Sequence, residues 1–138
     1  MLNTKVIAFV ACSKKKTSYK TKARELYQGP LFKKALRYAE QHYLQVYILS
    51  AKYGIVDLEE VIAPYDKTLK TMLPKEKTQW ADMVKKQMEE KEIYPPFIFF
   101  TGVEYHKYFE GEKPLLGLSL GYSLQWFSKR LQKKGFFE

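Results

Sequence analysis

The sequence predicts an α/β fold: one domain over residues 1–138, with a mainly parallel sheet of about four strands and helices on both faces, in a Rossmann-like three-layer arrangement. Three observations carry this expectation. Short apolar runs rich in β-favouring residues alternate with longer segments whose apolar residues recur at helical spacing. A chain of 138 residues has the size of one domain with one core. A composition of 46% hydrophobic and 16% aromatic residues supplies that core and excludes global disorder.

Residues 5–11 read as the first strand, short and buried. Residues 21–27 suggest a helical turn. Gly29-Pro30 opens a helix, because proline suits the first turn. Leu31, Phe32, Ala35, Leu36, Ala39 and Tyr43 then follow a helical period to about Tyr43. Residues 45–49 form the second strand and residues 50–54 its exit loop. Residues 55–72 look irregular, with Pro64 as a breaker. Pro74 opens a helix carrying Trp80, Met83, Val84, Gln87 and Met88 toward Glu90. Pro95-Pro96 precedes a third strand at 97–100. A short helix follows at 103–109, and residues 115–118 read as a fourth strand. The last helix buries Leu120, Leu124, Phe127 and Leu131, with Gly135 as its C-cap. Right-handed crossovers would gather three strand exits, residues 12–16, 50–54 and 101–105, along one edge of the sheet.

The formal net charge is +9 and the pI is near 9.5. Such a balance favours polyanions: nucleic acid, nucleotides or anionic lipid. A solvated basic surface explains it equally. Cys12 is the single cysteine, so no internal disulfide forms. No CxxC or Cys/His cluster suggests a metal, and no cofactor is expected. A cytoplasmic protein with no membrane partner is expected, because no apolar run is long enough to span a bilayer and no cleavable leader of usual length opens the chain. His42 reads as a helix-end residue and His106 as a surface residue. The 11 tyrosines suit an interface, so a homo-oligomer or a protein-interaction module is an alternative reading.

Ligands of open parallel sheets bind outside the carboxyl ends of the strands. The first exit passes from Phe9-Val10-Ala11 into Cys12, Ser13 and three lysines, Lys14, Lys15 and Lys16. Hydroxyl, thiol and ammonium groups there suit a phosphate-bearing ligand. With no glycine in this stretch, a P-loop is excluded. Cys12 is read as a small buried residue rather than a nucleophile, since no base is visible beside it. The second exit carries Ser50, Lys52, Tyr53 and Gly54, and leads to Asp57, Glu60, Tyr65 and Asp66. Tyr53 and Tyr65 suit stacking on a base. Asp57 and Glu60 are the acid–base candidates, with Asp66 beside them. The third exit offers Thr101 and Gly102, followed by Glu104 and Tyr105. For the carboxylates, surface pairs with lysines are the plainer alternative. Lys129, Arg130, Lys133 and Lys134 sit where a helix end favours cations, and could also track a nucleic-acid backbone.

Taken together, Ala11-Cys12-Ser13-Lys14-Lys15-Lys16, Ala23-Arg24-Glu25-Leu26-Tyr27, Pro30-Leu31-Phe32, Leu49-Ser50-Ala51-Lys52-Tyr53-Gly54 and Ile62-Ala63-Pro64-Tyr65-Asp66 resemble the DUF6884 family of bacteria and phages, a domain of unknown function. The resemblance covers most of the chain. A more distant similarity is to the YaaA peroxide-stress proteins, whose strand-end Ser-Pro-Ala-Lys-Thr, Ser-Gly-x-Tyr-Gly and Pro-Tyr segments compare with residues 12–16, with Ser50, Ala51, Tyr53 and Gly54, and with Pro64 and Tyr65. Ala51 and the Cys12-Ser13 pair depart from that pattern. The resemblance implies association with DNA, damage protection or nucleobase metabolism. The expected function is therefore binding of a nucleotide or nucleic acid, with action on a nucleobase or glycosidic bond as a hydrolase or transferase if the chain is an enzyme. A non-enzymatic DNA- or RNA-binding accessory protein is the alternative.

Overall fold

The computed structural model describes the backbone of residues 1–136 and the side chains of residues 1–131. Its main sheet has four strands, β1 (Ile7–Ala11), β3 (Val46–Ser50), β4 (Gly54–Asp57) and β6 (Phe97–Phe100), in the order β4-β3-β1-β6. β3 and β6 both run parallel to β1, whereas β4 runs antiparallel to β3. The sheet is thus mixed, with two parallel pairings and one hairpin. A small second sheet pairs β2 (Thr21–Lys22) with β5 (Val61–Ile62).

The helices are α1 (Ala23–Leu26), α2 (Pro30–His42), α3 (Pro74–Glu90), α4 (Val103–His106) and α5 (Leu120–Phe136), with a 3₁₀ turn at Leu69–Thr71. Alternation along the strands sorts their side chains into two cores. Ala8, Val10, Ile48, Val56 and Phe100 pack with Phe32, Ala35, Leu36 and Ala39 of α2 and Phe127 and Leu131 of α5. Ile7, Phe9, Leu49, Ile55 and Phe99 pack instead with Trp80, Ala81, Val84 and Met88 of α3. Both faces of β1, β3 and β6 are apolar, as parallel strands covered on two sides require. No helix among the described residues is long and apolar enough to cross a membrane.

Several expectations are corrected. Residues 55–72 are irregular only in part: Gly54 turns the chain into β4, β5 and the 3₁₀ turn follow, and residues 63–68 around Pro64 carry no regular element. Residues 115–118 form turns rather than a strand, and Gly117 there has φ +81°. The fourth strand is β4 instead. α5 continues through Gly135 to Phe136, so Gly135 is not its cap. Leu120, expected in the core, is 65% exposed. His106, expected at the surface, is 2% exposed.

Because β3 lies on one side of β1 and β6 on the other, the chain reverses its direction of winding at β1. The carboxyl ends of β1, β3 and β6 therefore lie side by side, with Ala11 opposite Leu49 and Val10 opposite Phe100.

Candidate functional site

The first exit is fastened before it is exposed. The Cys12 amide donates to Leu49 O at 3.0 Å and prolongs the ladder by one residue. Ser13 Oγ donates to Lys15 O at 2.8 Å and accepts from the Gly29 amide at 3.1 Å. A Cβ on Gly29 would lie 2.7 Å from Ser13 Cβ, so the approach of loop to helix start requires glycine. Gln28 N donates to Lys15 O, and Thr17 N to Leu26 O. Lys14 and Lys15 are left in solvent. Lys16 folds back: its Nζ donates to Lys14 O at 3.2 Å and stands 4.4 Å from the Tyr65 ring centroid, a cation–π contact. Burial lowers its pKa, opposed by neighbouring Cys12 and Asp66.

The second exit is a tight turn. Ser50 is fully buried, and its Oγ accepts from the amides of Lys52 at 3.1 Å and Tyr53 at 2.9 Å. Its proton goes to Tyr65 Oη at 2.7 Å, and Tyr65 Oη lies 2.7 Å from Tyr27 Oη. Burial pushes both phenols well above their ordinary pKa and keeps them protonated. Trp80 Nε1 donates to Ser50 O at 2.9 Å. Gln87 accepts from the Ile55 amide at 2.8 Å and donates to Tyr53 O at 2.9 Å. Gly54, at φ +73°, lies so close that a Cβ would fall 2.3 Å from Gln87 Oε1. Ser50, Tyr53, Gly54 and Tyr65 thus hold the turn together, and the exposed Lys52 lies over Tyr53 at 5.2 Å.

At the third exit Thr101 is buried, with Oγ1 donating to Gly102 O at 3.2 Å. Gly102 is exposed, and a Cβ there would meet nothing within 4 Å. Glu104 pairs with Lys77 at 2.7 Å and has Lys107 at 4.0 Å. The Lys77 hydrogen bond holds its carboxyl below the usual range, despite some burial. Tyr105 Oη lies 3.2 Å from Cys12 Sγ, and burial raises that phenol's pKa as well.

Between the first and third exits lies a cavity of about 410 Å³ lined by Cys12, Ser13, Lys14, Lys16, Gly102, Glu104 and Tyr105. The loop after β5 supplies Asp66, Lys67, Thr68 and Lys70. An adjoining cavity of about 490 Å³ shares Cys12, Ser13, Lys14, Lys70 and Gly102 and adds Lys15, Gly29 and Thr101. Cys12, Ser13, Lys14, Lys15, Thr101 and Gly102 therefore line two adjoining cavities. Ser50, Lys52, Tyr53, Gly54 and Tyr65 line neither cavity. Asp57 and Glu60 are also absent from it. The hairpin explains this: β4 runs backwards, so Asp57 pairs with Tyr47 near the amino end of β3. Asp57 Oδ2 lies 3.8 Å from Lys91 Nζ, and exposed Glu60 follows the hairpin, its carbonyl accepting from Ala23 N at 2.7 Å. The carboxylates at the cavity are Asp66 and Glu104. Among the described residues no group of three or more His, Cys, Asp and Glu side chains could hold a metal.

The profile of a family of unknown function, DUF6884, matches residues 7–129, which takes in every strand and every lining residue of these two cavities. The chain belongs to the DUF6884 family. No curated protein and no solved structure matches it. Within the DUF6884 segments that carried the resemblance, roles are now visible. Arg24 clamps both Glu40 carboxylate oxygens at 3.0 and 3.1 Å and reaches Glu59 at 3.1 Å, tying α1 to α2 and to the hairpin. Ala23, Leu26 and Tyr27 are fully buried. Sequence reasoning missed Lys67 and Lys70, which reach the cavity because fully buried Leu69 anchors their turn. A lone leucine between two lysines was the available sign.

Proposed function

We propose that this DUF6884 protein binds a phosphate-bearing ligand, a nucleotide or a nucleic-acid strand, at the carboxyl end of its central strand. One observation carries the reading: Lys14, Lys16, Lys67 and Lys70, drawn from two distant segments, border one cavity at the point where the sheet reverses its winding. Of the two carboxylates there, Glu104 is already neutralised by Lys77, so positive charge is in excess. On this reading the frame would be a Rossmann-like three-layer one and the strand-end segments would be akin to those of the YaaA proteins, which would imply a cytoplasmic role in damage protection or nucleobase metabolism. If the ligand is also hydrolysed or transferred at its base or glycosidic bond, Asp66 is the acid–base group in reach of a ligand held by the lysines. Asp57 and Glu60 would take no part from their end of the hairpin.

The test is titration with nucleoside mono- and diphosphates and short single-stranded DNA and RNA at low salt. Saturable binding by the native chain, weakened at least about ten-fold in Lys14→Ala/Lys70→Ala, supports the reading; each lost phosphate contact is worth about that much. Unchanged binding by the variant removes it.

A second reading has its own observation. Lys33, Lys34 and Arg37 of α2 border a separate cavity of about 340 Å³ beside Ser128 of α5, and Lys34 Nζ donates to Ser128 Oγ. Nearby, Arg130 stacks on Trp126 at 3.7 Å. This basic face suits a nucleic-acid backbone bound without chemistry. Steep salt dependence, lost in Lys33→Ala/Arg37→Ala but not in the Lys14 variant, would favour it.

A further inference from the structure

A fourth cavity, of about 350 Å³, opens beside the one lined by Lys14, Lys16, Lys67 and Lys70 and differs from it in kind. Leu31, Gly102, Val103 and Leu118 belong to both, so the two spaces adjoin along a shared wall. Among the described residues no Asp, Glu, Lys or Arg lines this cavity; its walls are leucines, Val103 and glycine, with Thr101, His106 and Ser123 as the polar groups. His106 is 2% exposed, yet its Nδ1 has no hydrogen-bond partner among the described residues. A buried, unpaired ring nitrogen is costly and rare in a finished structure. Burial, and secondarily Lys113, lower the His106 pKa, so the ring is neutral near pH 7 and offers one donor and one acceptor. Turning the ring about its Cβ–Cγ bond exchanges Nδ1 with Cδ2, so either edge of the imidazole is available to the space it lines. Apolar walls with a few hydrogen-bonding groups are the usual make-up of a site for an uncharged organic group, and the volume lies in the usual range. Leu116, 62% exposed, lines this cavity and offers it an apolar side chain.

We infer that this uncharged cavity receives the nucleobase of the ligand whose phosphate the lysines bind, with His106 hydrogen-bonded to the base edge. The inference rests on the nucleotide reading above and narrows it: the ligand carries an anionic end and a neutral heterocycle, and the protein discriminates by the heterocycle. A bare sugar phosphate or a polyphosphate would fill the lysine cavity alone.

Calorimetric titrations with AMP, GMP, CMP, UMP and ribose 5-phosphate separate the two claims. The expected result is that at least one nucleoside monophosphate binds about ten-fold or more tighter than ribose 5-phosphate, the worth of one well-made buried hydrogen bond with ring burial. His106→Phe keeps the ring volume and removes the nitrogens; it should erase most of that advantage and leave ribose 5-phosphate binding unchanged. Leu116→Ala, at a position whose side chain the core does not need, should reduce the advantage several-fold, and it decides the matter if His106→Phe fails to fold. Equal binding of all five probes, still weakened by Lys14→Ala/Lys70→Ala, overturns the base cavity and leaves the anion site standing. An advantage that survives both His106→Phe and Leu116→Ala overturns it too. No binding by any of the five probes overturns the base cavity, and no binding of single-stranded DNA or RNA either removes the anion site with it.

Discussion

Ser50 donates its hydroxyl proton to Tyr65 across 2.7 Å, because its oxygen already accepts the amides of Lys52 and Tyr53. Tyr65 Oη in turn shares a hydrogen bond with Tyr27 Oη, in which either phenol can donate. This chain of hydroxyls joins β3, the loop after β5 and the segment between α1 and α2. Ser50→Ala leaves buried partners unsatisfied and should cost about 2–3 kcal/mol in urea unfolding. Tyr65→Phe should cost about 1–2 kcal/mol. In the double variant the two losses should fall short of their sum, since both break one network. Strict additivity would mean that the hydroxyls are not linked in solution.

The lysine cavity predicts a salt signature. Where single-stranded DNA is the ligand, the slope of log K against log salt should flatten by about 0.7 for each of Lys14, Lys67 and Lys70 replaced by alanine, as each phosphate contact is removed. Lys52→Ala should leave the slope unaltered, because Lys52 lies outside the cavities. Competition titrations at several salt concentrations read this directly.

Cys12 is half-buried and lines both lysine-bearing cavities. Alkylation of this single thiol by a bulky maleimide should therefore abolish anion binding, and a bound nucleotide should slow the alkylation. Cys12→Ala should bind as the native chain does and be indifferent to the reagent. Mass spectrometry with a binding assay on the labelled protein checks both.

His106 predicts a pH dependence with a definite sign. Its folded pKa lies below the ordinary 6.5, so the unfolded chain takes up the proton first as pH falls. Stability is complete above pH 6.5, declines between that value and the lower folded pKa, and levels off beneath it. Glu104, whose folded pKa is also lowered, contributes a similar loss only below its ordinary 4.5. Urea midpoints measured across the pH range should show the upper decline in the native chain and not in His106→Phe. A curve shared by both would place the His106 ring in solvent.

Where the sequence was readable and where it was not follows from how each element is held. Strands β1, β3 and β6 were legible as apolar runs, and α2 and α3 as apolar stripes following Pro30 and Pro74. β4 was not, because Gly54 to Asp57 is four residues long and its existence depends on Gln87, more than thirty positions away, bonding the turn. Missing that reversal set Asp57 and Glu60 beside the strand exits, whereas they follow the hairpin away from the cavities. Ser50, Tyr53 and Gly54 are engaged in the turn itself. The end of the first strand was legible, since a strand's end is a local property. The cavity's other wall, Lys67 to Lys70, depends on the burial of Leu69 and on a path that composition does not encode. His106 was misread because a four-residue helix has too little periodicity to show which face is inward.

The outer margin of β6 has a consequence for handling the protein. Phe97-Ile98-Phe99-Phe100 is the last strand on that side, and such a run would recruit a like strand from another molecule if its free amides and carbonyls were open. Two of them are occupied: Phe99 N donates to Glu112 O at 2.8 Å and Glu112 N donates to Phe97 O at 3.0 Å. Gly111, with φ +154°, makes the approach feasible, since a Cβ would stand 2.8 Å from Phe97 O. A side chain introduced at that glycine should therefore reveal itself first as cloudy preparations and sedimenting material, before any ligand measurement registers a change.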